Sequence, residues 1–126
     1  MAKSKPKKPK RPKKPKPKDD CFITTACVQY YGLNDDCFEL ELLRSFRDGH
    51  LLKSRPGKKL VEEYNKVAPL IVSNLRTDNL REIILSRTFS RILKACNFIS
   101  IGQYKLATQV YFRAVLFLMR RYNLDY

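Results

Sequence analysis

The chain has 126 residues, with 26 Lys and Arg against 12 Asp and Glu, a formal net charge of +14. Residues 1–18 hold ten of those basic residues, five of the seven prolines and no acid, so the other 108 residues carry only +4. Hydrophobic residues make up 44% of the chain, enough for one buried core, which excludes two domains, a collagen-like repeat and disorder throughout.

The opening run KSKPKKPKRPKKPKPK places a proline every two or three residues. Each proline fixes φ, removes an N–H and pushes its predecessor out of the helical region, so no helix can form there. Ten like charges also repel one another. Residues 1–18 therefore read as an extended, disordered basic arm, and residues 19–126 as the folded domain. Lys7, Lys8, Lys10, Arg11, Lys13, Lys14 and Lys16 are its candidate contacts to a polyanion.

No apolar run follows Met1, which argues against a secretory signal. The longest uncharged stretch, Cys21 to Asn34, is 14 residues long and includes Thr24, Thr25, Gln29 and Gly32. It is too short and too polar to serve as a transmembrane segment. The four cysteines read as thiols in a reducing compartment, because a helical core of this size needs no disulfides. A cytoplasmic protein is the expectation, with its oligomeric state left open.

Helical periodicity dominates from Cys21 onward. The segment CFITTACVQYYGLN has a β-branched start that also suits a strand; it is read as a short helix, with Thr24 as its cap, ending before Gly32. A second helix starts with Asp35 or Asp36 as N-cap and runs to about Lys53. It places Leu42, Leu43, Phe46 and His50 on one side and Glu41, Arg44 and Asp48 on the other.

Ser54 or Arg55 ahead of Pro56 opens the third helix, with Leu60, Tyr64, Val67, Ile71 and Leu75 at helical spacing. Pro69 lies inside that pattern and is expected to kink the helix or split it near Lys66. Thr77 or Asp78 caps a fourth helix, whose buried side is read as Leu80, Ile83, Ile84, Phe89, Ile92, Leu93 and Cys96. Gly102 separates it from a last helix over about Gln103 to Tyr122. There Lys105, Gln109, Arg113 and Arg120 form one polar stripe, the pattern of a central bundle helix. The fold class is all-α, a compact bundle of about four to five helices behind the arm.

Four ordered stretches carry a resemblance: C-F-I-T-T-A-C at Cys21–Cys27, G-L-N-D-D-C-F-E-L at Gly32–Leu40, L-R-S-F-R-D at Leu43–Asp48 and E-E-Y-N-K-V-A-P at Glu62–Pro69. Together they resemble the bacterial CFI-box family over about residues 21–75. The resemblance singles out Cys21, Phe22, Ile23, Cys27, Asp36, Cys37, Arg44, Arg47, Asp48, Tyr64 and Pro69 as motif positions. Tyr64 is followed by Asn65 where the family usually shows two adjacent tyrosines. The family carries no established activity, so the resemblance implies a bacterial or phage setting rather than a mechanism.

Cys21, Cys27 and Cys37 lie within 17 residues of one another, and His50 is the single histidine. A Cys₃His zinc site fails on geometry. On one helix Cys37 and His50 would stand roughly 20 Å apart and point in different directions. Cys21, Cys27 and Cys37 with an acid such as Asp36 would still make a zinc ligand set, although no Cys-x-x-Cys knuckle is present. Buried structural thiols are the favoured reading. Cys21 just ahead of a helix N-terminus is a candidate nucleophile, but nothing in the spacing brings His50 to it.

Arg44 and Asp48, four residues apart, are expected to pair, whereas adjacent Arg47 and Asp48 diverge by about 100°. An anion site is the alternative role for these arginines. Arg87, Arg91 and Lys94 share a helix face and extend the candidate polyanion surface. The function expected is a non-enzymatic binding or accessory module whose arm holds nucleic acid, or an acidic protein, without sequence specificity. The competing expectation is a thiol-dependent enzyme or a metal or redox protein using Cys21 with Cys27 and Cys37.

Overall fold

The computed structural model describes residues 22–124; the basic arm over 1–18 and Cys21 lie outside them. Five α-helices and one 3₁₀ turn form among the described residues: α1 (Phe22–Tyr30), α2 (Phe38–Gly49), the turn (Leu51–Lys53), α3 (Arg55–Arg76), α4 (Arg81–Ser100) and α5 (Tyr104–Arg121). No strand occurs among them.

Local chemistry explains most helix boundaries. At the start of α3, Ser54 Oγ accepts the Gly57 N–H at 3.1 Å, with Pro56 in the first turn, where its missing donor costs nothing. At the ends of α1 and α4, Gly32 and Gly102 adopt φ of +74° and +79°. The following residues reach back, Leu33 N–H to Val28 O and Gln103 N–H to Phe98 O, both at 2.8 Å. This closure needs a residue that tolerates left-handed backbone. Asn123 plays the same part after α5, at φ 56°.

Other boundaries differ from expectation. Cys37, not an aspartate, stands at the N-cap of α2 and makes no side-chain cap bond. Asp35 is instead turned toward Arg44. α2 stops at Gly49 rather than Lys53, and the chain re-forms as the 3₁₀ turn. α3 is neither split nor ended at Pro69. That proline is exposed, while Val67, Ala68, Ile71 and Leu75 on the inner side keep both halves packed against the core.

The core joins all five helices: Ile23, Cys27 and Val28 from α1, Leu40, Leu43 and Phe46 from α2, and the inner stripes of α3, α4 and α5. α4 is rolled away from the expected face. Ile84, Ile92 and Cys96 are buried as read from the periodicity, but Leu85, Thr88, Ala95 and Ile99 complete the face. Leu80, Ile83 and Leu93 remain exposed. α5 is not central either: Ala107, Ala114, Val115, Leu118 and Met119 face inward, whereas Leu106, Leu116 and Phe117 face solvent.

Asp78, between α3 and α4, ties the chain's last helix to this frame. Its carboxylate accepts from Arg121 Nε at 2.7 Å, Arg121 Nη2 at 2.9 Å, Tyr122 Oη at 2.7 Å and Leu80 N–H at 2.9 Å. The end of α5 is therefore pinned at the start of α4, which makes the two helices an antiparallel hairpin. The Arg121 hydrogen bonds, then those from Tyr122 and Leu80, hold the Asp78 carboxyl well below the usual carboxylate range. Burial, reinforced by the bond to Asp78, pushes Tyr122 up to about 12.

A lowered folded-state pKa stabilises the fold fully above the ordinary carboxylate value, about 4, and this contribution is lost progressively as pH falls from there through the lowered folded value. Asp78→Asn should therefore lower the thermal midpoint at neutral pH, and the gap to the parent should narrow in strong acid. Melting curves across a pH series check this, and a constant gap would mean that the carboxylate's charge contributes nothing.

Gly57 has a different constraint, since a Cβ there would collide with the backbone carbonyl of Leu51. In an open helix, Gly→Ala stabilises by up to about 1 kcal/mol. Here Gly57→Ala is expected to cost about 1–3 kcal/mol from overpacking, measured by chemical denaturation.

Candidate functional site

The motif segment at α1 meets two tyrosines from distant parts of the chain. The first N–H groups of a helix lack partners within it. For Ile23, that partner is Tyr64 Oη of α3, at 3.0 Å. Tyr64 Oη lies 3.2 Å from Tyr111 Oη of α5, which is 2.8 Å from Thr24 Oγ1. Thr24, expected as a cap, lies inside the helix and is fully buried, and its hydroxyl bonds across the core. Of the motif positions, Ile23 and Tyr64 are brought together, with Thr24 of the same box beside them. Tyr111 lies outside the recognisable motifs, so only folding reveals its part.

The cysteines do not share one environment. Cys27 is completely buried, its sulfur 3.9 Å from Leu85 O, and desolvation pushes its thiol up to about 12. Burial at that position favours the neutral thiol over the thiolate. Cys37 is half-buried at the α2 N-cap, and Cys96 is buried on α4. Cys21 and the Phe22 side chain lie outside the described residues, as do Lys7, Lys8, Lys10, Arg11, Lys13, Lys14 and Lys16. No group of three or more His, Cys, Asp or Glu suited to a metal occurs among the described residues. His50 is not a core residue: it is exposed at the end of α2, its ring 5.1 Å from that of Phe46 and 4.7 Å from that of Tyr104.

The arginine pairings reverse the expectation. Arg47 Nε reaches Asp48 Oδ1 at 2.9 Å, while Arg44 turns to Asp35, at 3.0 Å, and lies 3.9 Å from Glu41. A long guanidinium arm bends round the helix end to an adjacent acid, which the rule of facing positions leaves out. Asp36 is exposed. Arg47 also borders an apolar cavity of about 50 Å³ between α2, α3, α4 and α5, walled by Leu43, Phe46, Tyr64, Ile99 and Tyr111. Ligand clefts usually measure about 300–1,000 Å³, so this space is a packing gap within the core.

Among the described residues the largest charge imbalance lies elsewhere. Residues 22–80 hold eight acids and eight bases, whereas residues 81–121 hold eight Lys or Arg against the single acid Glu82. The α4–α5 hairpin therefore carries +7. Arg87, Arg91 and Lys94 are exposed along α4, and Arg113 and Arg120 along α5. Arg91 stands 5.9 Å from the centre of the Phe117 ring, which places the basic row of α4 beside the outer side of α5. No carboxylate among the described residues pairs with these five side chains. Arg113 and Arg120, read from sequence as one helix's polar stripe, thus join the α4 row in a single basic face. A charge count by segment finds the same asymmetry, but splitting the chain only at residue 18 averages it away.

The hydroxyl cluster supports a double-mutant test. Tyr111→Phe alone removes the partner of the buried Thr24 hydroxyl and should cost about 1–3 kcal/mol. Thr24→Val added to it should recover part of that loss, since it removes the hydroxyl stranded by the first change while Tyr64 still lacks its contact to Tyr111. Equilibrium denaturation of the single and double variants measures the coupling, and strict additivity would dismiss the cluster. No protein-family model matches the chain, and no significant match exists among curated proteins or solved structures.

Proposed function

We propose that the protein is a non-enzymatic binding or accessory module of the CFI-box kind, which holds nucleic acid or another polyanion electrostatically. The charge distribution carries this reading: +10 without a single acid over residues 1–18, and +7 on one helical hairpin, around a region of zero net charge. Concentrated, unneutralised charge attracts polyanions by releasing their counterions. The arm has no aromatic residue and no Asn or Gln to read base edges, so its contacts go to phosphates and carry no sequence preference. In this reading the helical domain presents the arm and contributes a smaller share of duplex binding.

Binding to duplex DNA should be weak, nearly sequence-independent and steeply salt-dependent. Six phosphate contacts give a slope of log K against log salt of roughly −5, at about −0.9 per contact. Deleting residues 1–18 should flatten it to about −1 or −2 with little change in thermal midpoint. A salt series on one labelled duplex decides the matter. Absence of binding at low salt ends the reading, and an unchanged slope after deletion moves duplex binding to the α4–α5 face.

A further inference from the structure

The outer face of the α4–α5 hairpin combines its charge with apolar side chains that a helix turned to water does not need. Along α5, Leu106, Arg113, Phe117 and Arg120 fall at i, i+7, i+11 and i+14, one side of the helix, with Leu116 on its flank. Leu106 is 41% exposed, Leu116 42% and Phe117 45%. The opposite side, Ala107, Ala114, Val115 and Leu118, is already committed to the core. The exposed apolar residues are thus in surplus over what the fold buries. They alternate with cations whose aliphatic stems can lie on an apolar surface while the charged heads reach out.

We propose that this face docks on an anionic phospholipid surface, with Leu106, Leu116 and Phe117 entering the headgroup boundary and Arg91, Arg113 and Arg120 meeting lipid phosphates. The proposal rests on the polyanion reading's charge asymmetry and names the partner of the hairpin part. Complementarity selects the occupant. A second copy would bring +7 against +7, which repels. A duplex rewards the arginines but leaves the leucines and the phenylalanine without a role, since protein–DNA interfaces are distinctly polar. An anionic bilayer rewards both, as electrostatic attraction adds to shallow burial of apolar area. No described helix is long and apolar enough to cross a membrane, so α5 lies in the plane of the interface. Its 18 residues lay about 27 Å of helix along the surface.

The chain contains no tryptophan, so Phe117→Trp in the full-length protein places a single reporter on the face, and Leu106→Trp a second in case the first perturbs folding. Vesicles of phosphatidylcholine with phosphatidylglycerol should shift the emission to the blue, and brominated lipids should quench it. Vesicles of phosphatidylcholine alone, and duplex DNA, should do neither. Arg113→Gln with Arg120→Gln should weaken vesicle partitioning about 25-fold, near fivefold per charge. Vesicle binding with unchanged emission from both reporters would assign it to the arm and overturn the proposal. So would absence of binding to anionic vesicles, an equal response to neutral ones, or a response to duplex DNA alone. A shift on anionic vesicles from a protein that ignores duplex DNA would sustain the lipid face while ending the arm's nucleic-acid reading.

Discussion

A nine-residue helix is too short to persist alone in water, so α1 exists because the rest of the fold receives it. What receives it is a polar clasp inside an apolar core. The N–H of Ile23 and the hydroxyl of Thr24 meet Tyr64 of α3 and Tyr111 of α5, elements 41 and 87 residues away. Apolar contact from Ile23, Cys27 and Val28 supplies the burial. Hydrogen bonds add direction, because a buried donor without a partner is costly and this docking of α1 supplies one. The positions of α3 and α5 relative to each other follow from sharing that clasp.

The second clasp, at Asp78, acts at the other end of the chain and has a functional consequence. By drawing Arg121 and Tyr122 onto the turn before α4, it folds the two most basic helices back on one another. Residues that are far apart in sequence, such as Arg91 and Phe117, then share one surface. Charge that is spread over forty positions of chain becomes a face. The same closure leaves the outer apolar residues of α5 with no protein to cover them, which gives the face its mixed character.

The thiols show how burial decides chemistry that residue type leaves open. Three cysteines close in sequence suggest a shared site, yet Cys27 is sealed against Leu85 with its thiol pushed up to about 12, while Cys37 lies half-buried at a helix start. The arginines follow the same logic. Whether Arg44 pairs within its helix or with the preceding loop depends on where that loop returns, and it returns with Asp35 beside the guanidinium.

The all-α class, the separation of the arm's composition from the rest and most helix limits were legible in the sequence, because each depends on neighbours within a turn or two. Ser54 caps and Gly32 and Gly102 terminate helices through bonds that span three to five residues. The roll of α4, the outward side of α5, the exposure of His50 and the partners of Arg44, Arg47 and Thr24 were decided by tertiary structure. Helical periodicity identifies an apolar stripe without saying how wide the covering neighbour is. In α4 and α5 the stripe is wider than the neighbour, so Ile83, Leu93, Leu106 and Phe117 were read as core or left unassigned and are in fact exposed. Docking of elements dozens of residues apart sets that limit, and no local pattern records it.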